Sequence, residues 1–343
     1  MTNERFAPGS DPGPPREPRQ AFRVVFAMVG LLVVPAALTL RTVVDAGGRQ
    51  VASPNPTPQG YTWSLLLFLL PLAALGIWFA RRRDLGLARR AFWRTLAVLV
   101  PLGFGLDVLF GNAFFVFPNH AATLGLNLPA VGGPIPIEEF VFYASGFMLV
   151  LLSYVWADEY WLRAYNIPDY GSEARELRRL AQFHGWSVSF GVALVAGAVL
   201  YKKVISPSPE GFPWYFTYLT AISFAPSAGL FRTARPFINW RAFSFTFFLI
   251  LLISLLWEVT LALPYGWWGY RPAAMMGMTI AAWDGLPVEA VCVWLAVSFT
   301  TVIVYEVIKI WQALGKGAWE AFFGNRRRKS GFPPRRRPAP MAP

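Results

Sequence analysis

The hydropathy pattern constrains this chain more than any other feature. Crossing the hydrocarbon core of a bilayer takes about 20 consecutive apolar residues in a helix. Eight segments of the 343-residue chain meet that requirement: Ala21 to Leu40, Thr62 to Ala80, Ala91 to Phe110, Ile137 to Trp156, Trp186 to Ile205, Trp214 to Phe231, Ala242 to Leu263 and Gly285 to Ile308. With 55% hydrophobic and only 15% charged residues, the chain carries more apolar surface than a soluble domain of this size can bury. The pattern predicts an all-α integral membrane protein with about eight transmembrane helices.

Lys and Arg then set the orientation. Arg81, Arg82, Arg83, Arg89 and Arg90 follow the second segment, Arg163, Arg175, Arg178 and Arg179 the fourth, and Arg232, Arg235 and Arg241 the sixth; the C-terminal tail carries RRRK and RRR. All of these fall on one side. The opposite loops hold little beyond Arg41, Arg49, Lys202, Lys203 and Arg271. Basic loops stay in the cytoplasm, so the chain is expected in the inner cell membrane with both termini cytoplasmic. The net charge of +12 therefore reads as topology, and no nucleic-acid partner is expected. The first 20 residues are Pro-rich and polar, and the first apolar run lacks a small-residue cleavage site, so it reads as a retained helix. The mixed-charge stretch Asp158 to His184 reads as an interfacial or cytoplasmic linker, and the tail after Asn325 as a disordered segment drawn to anionic lipid.

Sliding the chain on itself by 151 residues aligns unusual residues without a gap. Trp63 meets Trp214, Arg81 meets Arg232, Arg90 meets Arg241, Phe92 meets Phe243, Asp107 meets Glu258, Pro136 meets Pro287, Glu138 meets Glu289 and Tyr154 meets Tyr305. The repeated unit is three helices. An odd unit repeated directly would alternate its orientation, but the fifth segment intervenes and makes the two units parallel, about an axis along the membrane normal. The fold class predicted is thus a tandem parallel repeat of a three-helix unit plus two extra helices. The division is 1–20 disordered cytoplasmic tail, 21–60 extra helix and loop, 61–156 first repeat, 157–211 linker and second extra helix, 212–308 second repeat, and 309–343 basic cytoplasmic tail.

The repeat places paired acids at one depth. Asp107 and the Glu138-Glu139 pair of PIPIEEF form one set, and Glu258 and Glu289 of LPVEAV the other; in each half the acids stand 31 residues apart. Carboxylates at this depth are costly when ionised, so they pair, face a cavity or take up protons, and a protonated acid is a proton donor. Two acids in one pocket can divide the work of general acid and general base. The plainer alternative is that they cap helix N-termini against the dipole, which for Asp107 and Glu139 weighs as much as the chemical reading. Glu306, unmatched in the first half, reads as interfacial. Aromatic residues crowd both sets. Belts at the membrane interface explain many of them; the sharper reading is a π-rich pocket for a polyene or a carbocation, with Phe142, Tyr143, Trp268, Tyr270 and Trp294 as candidates. Cys292 reads as a small buried hydrophobe, and His120 and His184 support no metal site. No GxGxxG, GxxxxGK[ST], HExxH or CxxC occurs, so a cofactor-free, metal-free reaction fits best.

The run from Tyr61 through Tyr143, with FARRRDLGLARR, Asp107 and GPIPIEEFVFY, resembles the membrane-embedded lycopene cyclase domain family, whose hallmark is Pro-[IL]-Glu-Glu followed by aromatics. The second half, with LLWEVTLALPYGWWGY and GLPVEAVCVW, is similar to the partner repeat, and Trp268-Gly269-Tyr270 to the family's Trp-X-Tyr. The resemblance implies a non-redox isomerisation in the membrane: an acid protonates the end of a linear carotene, the cation cyclises, and a base removes a proton. It implies Glu138 or Glu139 as general acid, with Glu289, Asp107 and Glu258 as base or tuning partners, a carotenoid or other polyprenoid substrate, and enzymes of the carotenoid pathway as partners. This chain departs from the pattern at Glu289-Ala290, which has one acid, and at Phe115-Val116-Phe117, where Trp-X-Tyr is absent. Two rivals remain: a transporter, which also uses midplane acids, and a non-catalytic carotenoid- or lipid-binding membrane protein.

Overall fold

The computed structural model describes residues 58–81, 88–166, 174, 177, 179–283 and 285–324; the helix expected at 21–40, the N-terminal tail and the part of the C-terminal tail beyond residue 324 lie outside them. Among the described residues seven long helices follow one another. These are α1 (Gly60–Arg81), α2 (Arg89–Phe114), α3 (Ile137–Trp161), α4 (Gly185–Ile205), α5 (Trp214–Ala234), α6 (Trp240–Ala262) and α7 (Glu289–Leu314), with a short α8 (Ala318–Phe323) after them. Six of the seven are long and apolar enough to cross a membrane. The other, α5, has 21 residues but carries more hydroxyls; Thr220 and Ser223 each donate to the carbonyl four residues back, at 2.9 Å, which satisfies them without leaving the helix. Pro71, Pro101 and Pro226 lie inside helices that run on past them.

The helix starts agree with the sequence pattern within two residues except at α7, expected at Gly285 and found at Glu289, whereas α2, α3 and α7 run on past their expected ends at Phe110, Trp156 and Ile308 to Phe114, Trp161 and Leu314. Gly285 adopts a positive φ of 69°, and Leu286–Pro287 form a strand before the helix can begin. Three helices also close on π turns that hydrophobicity does not reveal: Ala157–Trp161, Tyr201–Ile205 and Glu258–Ala262.

Two non-helical loops decide how the helices meet. The loop from α2 to α3 contains β1 (Phe115–Val116), β2 (Asn127–Leu128) and β3 (Ile135–Pro136), and the loop from α6 to α7 contains β4 (Gly269–Tyr270), β5 (Thr279–Ile280) and β6 (Leu286–Pro287). Within the loops β2 pairs with β3 and β5 with β6, while β1 pairs antiparallel with β4, Phe115 opposite Tyr270. Asn119 Nδ2 also donates to the Tyr265 carbonyl at 3.0 Å. Pairing satisfies backbone groups that neither lipid nor a helix could, and it brings both loops to the same end of the bundle. The helices that leave them, α3 and α7, are the central pair: 67% of the apolar window of each is buried, against 17–39% for the other spanning helices.

At the opposite end a buried polar network joins α3, α6 and α7. Tyr154 donates to Glu306 Oε1 at 3.0 Å, the Asn239 side chain donates to Asp158 at 2.9 Å and caps α6 by accepting from the Ala242 N–H, and Glu306 pairs with Lys309 at 3.4 Å. Glu306 and Asp158, expected at the interface, are 0% and 2% exposed. The reason is tertiary: three helices converge there and supply the partners that a buried charge requires. Asn239→Ala is expected to lower stability by about 1–3 kcal/mol, from one lost cap and one stranded buried acid. Thermal unfolding in detergent measures this, and an unchanged midpoint would mean that the Asn239 contacts contribute nothing.

Candidate functional site

Beneath the paired loops, residues of α1, α3, α5, α6 and α7 line a narrow cavity of about 50 Å³. Its wall is mostly aromatic. Trp257 and Trp268 lie with ring centroids 4.4 Å apart, Phe142 is 4.8 Å from Trp257, Tyr61 is 5.0 Å from Trp268, and Trp294 closes one side, 5.6 Å from Phe142. Trp257 is held by its indole N–H, which donates to Ser64 Oγ at 2.7 Å. Gly146 on α3 faces the Trp294 ring, and a Cβ there would sit 3.5 Å from it, so the two central helices approach closely enough to share one wall. Such rings offer negative π faces to a passing cation.

Two carboxyls enter this wall, one from each half of the chain. Glu139, in the first turn of α3, accepts the Tyr61 hydroxyl at 2.5 Å. Glu258, which opens the π turn of α6, accepts the Tyr270 hydroxyl. The wider π turn rotates the residues after Glu258 relative to a regular helix. Each carboxyl is thus gripped by neutral donors and is nearly covered, Glu139 7% and Glu258 6% exposed. Glu258 and Asp107 both act electrostatically on Glu139. Asp107 lies one turn before Gly111, where a Cβ would come within 2.7 Å of Asp107 Oδ1 and 2.8 Å of Ile135; only glycine leaves room for that carboxyl against the strand β3.

The structure separates the candidate acids that sequence grouped. Glu139 and Glu258 line the cavity together with all five candidate aromatics, Phe142, Tyr143, Trp268, Tyr270 and Trp294. Glu138 and Glu289, the pair related by the 151 offset, do not. Glu138 Oε1 accepts the Thr62 hydroxyl at 2.6 Å and the Leu124 N–H at 2.7 Å; Glu289 Oε1 accepts the Met276 N–H at 2.5 Å. Each ties its own loop to the start of its helix. Asp107 does not line the cavity, although its charge acts on Glu139.

Tyr61 and Tyr215 also belong to the site and went unrecognised. Tyr61 is 78 positions from Glu139, and its neighbourhood GYTWS has nothing to mark it. Trp257 was legible only as the neighbour of Glu258. Among the described residues no group of three His, Cys, Asp or Glu is placed to hold a metal ion.

Comparison with known proteins adds a family. No curated protein and no solved structure matches the chain. The sequence model of the family described as lycopene cyclase matches residues 59–157 and 213–308, regions that contain Tyr61, Glu139, Glu258 and the cavity aromatics. Because those two regions span more than half of the chain, this protein belongs to the lycopene cyclase family.

Proposed function

We propose that this protein is a carotenoid cyclase that closes a ring at the end of a linear polyene by acid–base chemistry within the membrane. The observation that carries this is the single aromatic cavity bearing Glu139 from one half and Glu258 from the other, each held by a tyrosine hydroxyl.

The reaction is an isomerisation and needs only a proton moved. Glu139 gives its proton to the terminal double bond, forming one C–H bond and leaving a tertiary carbocation. A second double bond of the same chain attacks that carbon, a ring bond forms, and the charge moves to a ring carbon. Glu258 then removes a neighbouring proton, and the electrons of that C–H bond become the new double bond. The proton that Glu258 gains passes back to Glu139 between turnovers, directly or by way of Asp107, whose charge acts on Glu139, so both carboxyls begin the next cycle in their original states. Glu258 accepts from Tyr270 through one oxygen and keeps the other without a hydrogen-bond partner, which leaves it able to take a proton. Trp257, Trp268 and Phe142 present their faces to the travelling charge and exclude the water that would quench it as an alcohol.

The two family-matched regions are read as the two repeats, 61–156 and 212–308. The cavity lies between them, so one site is assembled from both, and Ala290, standing where Glu139 would recur, leaves the second half to supply only the acceptor. With both termini cytoplasmic the cavity lies toward the outer leaflet. A substrate that partitions almost wholly into lipid then reaches it without crossing water.

Expression in cells that accumulate lycopene tests this directly. Extracted pigments are expected to contain ringed carotenes, identified by chromatography and by the blue-shifted absorption that follows when a conjugated double bond is drawn into a ring. Unchanged lycopene with the protein present in the membrane would overturn this choice of substrate.

A further inference from the structure

We infer that Glu289 and Lys202 form a clamp that holds the 263–288 loop over the cavity, which makes both of them positioning residues for Tyr270 and Glu258. The inference rests on the cyclase reading only where ring formation is the readout. Glu289 is 0% exposed and takes the Met276 N–H from below. Lys202 comes from the side: its side chain is 0% exposed, and its Nζ donates to the Pro272 carbonyl at 3.0 Å. A fully covered lysine is rare unless its charge is answered, and here the Lys202 charge acts on Glu289. Just past Met276, Gly277, with φ of 88°, packs against Ser206 at the end of α4, and a Cβ on it would lie 3.9 Å from Lys202 Cδ. The loop is therefore fixed at residues 272 and 276, two and six positions after Tyr270, whose hydroxyl holds Glu258.

The first half has a different arrangement. There Glu138 takes the Leu124 N–H and the Thr62 hydroxyl, a neutral donor from α1. Lys202 lies on α4, outside both regions that match the family. The cation in the clamp is thus something α4 adds to the second loop.

The test uses the full chain carrying Cys292→Ala and Met276→Cys, in isolated membranes, and follows labelling of the introduced thiol by a maleimide. Met276 is 7% exposed, so the thiol is expected to react slowly while the clamp holds. Glu289→Gln keeps an oxygen for the Met276 N–H and is expected to preserve both protection and most of the ring formation. Glu289→Ala and Lys202→Met are each expected to speed labelling and lower ring formation, roughly tenfold, the scale of one stranded buried hydrogen-bonding group. If Glu289→Gln stays protected yet is as inactive as Glu289→Ala, Glu289 acts on substrate and the clamp assignment is overturned. Protection unchanged in both Glu289→Ala and Lys202→Met overturns it as well. Should the parent chain form no ring at all, the cyclase reading fails, and the labelling still decides the clamp.

Discussion

Replacing Glu139 by Gln is expected to lower ring formation by roughly 10²–10⁴-fold, the usual worth of a positioned proton donor, while the protein remains folded in the membrane. Glutamine keeps the shape and still accepts the Tyr61 hydroxyl through its own oxygen, so the aromatic wall has no reason to move. What it lacks is a transferable proton. Glu258→Gln is expected to cost a similar factor by leaving the cation without a base, and it carries an additional signature. A cation left undeprotonated outlasts the delay that the aromatic wall imposes on entering water, so hydroxylated products are expected from Glu258→Gln and not from Glu139→Gln. Pigment profiles of the two variants, normalised to protein in the membrane, give the answer. Glu139→Gln retaining more than about a tenth of the activity would remove that residue from the proton-donor role and return attention to Glu138.

Trp257→Ala is the second large effect. Trp257 is 2% exposed and meets Trp268, Phe142, Phe68 and Tyr61, with ring-centroid separations from 4.4 to 5.9 Å. Deleting a buried aromatic of this kind costs about 3–5 kcal/mol, from lost contacts plus the void left behind. It also removes the indole N–H that Ser64 Oγ accepts, while the Ser64 hydroxyl keeps its own bond to the Tyr61 carbonyl at 2.6 Å. Thermal unfolding in detergent reports the loss. Trp257→Phe separates packing from chemistry: it restores most of the volume but keeps a weaker π face and no N–H. Stability is expected to recover substantially in Trp257→Phe while ring formation stays depressed, because a smaller ring stabilises a cation less well. If the activity of Trp257→Phe recovers in step with its stability, the ring is a packing element and does not stabilise the cation.

Several features of this molecule are dictated by short stretches of chain. A run of about 20 apolar residues has one stable conformation in lipid, because every peptide group must be satisfied internally; the helices from Gly60 to Leu314 accordingly appear where hydropathy places them, within a few residues. The motif GPIPIEEFVFY with GWWGY likewise points to the lycopene cyclase family, whose model matches both halves. Phe142, Tyr143 and Trp294 were legible because each lies within five residues of an acid, and Trp268 and Tyr270 because they belong to the contiguous motif GWWGY.

Long-range contacts decided the rest. A spacing of 151 groups Glu138 with Glu289 and makes them the more prominent pair, yet their neighbours in space are loop amides at Leu124 and Met276. Glu139, one residue on, is rotated about 100° around α3 and reaches the cavity. Its partner Tyr61 is 78 residues away, and the opposing carboxyl Glu258 belongs to the other half of the chain. The depth of Glu306 and Asp158 depended on Tyr154, Asn239 and Lys309 converging from three helices. Sequence by itself determined that the chain lies in a membrane, which segments are helical and which family it belongs to, because these follow from hydropathy and contiguous motifs. Tertiary structure alone decided which acids share a cavity and which hold loops, because a carboxyl's role depends on the groups that the fold brings within about 3 Å of it, and helix rotation changes that company from one residue to the next.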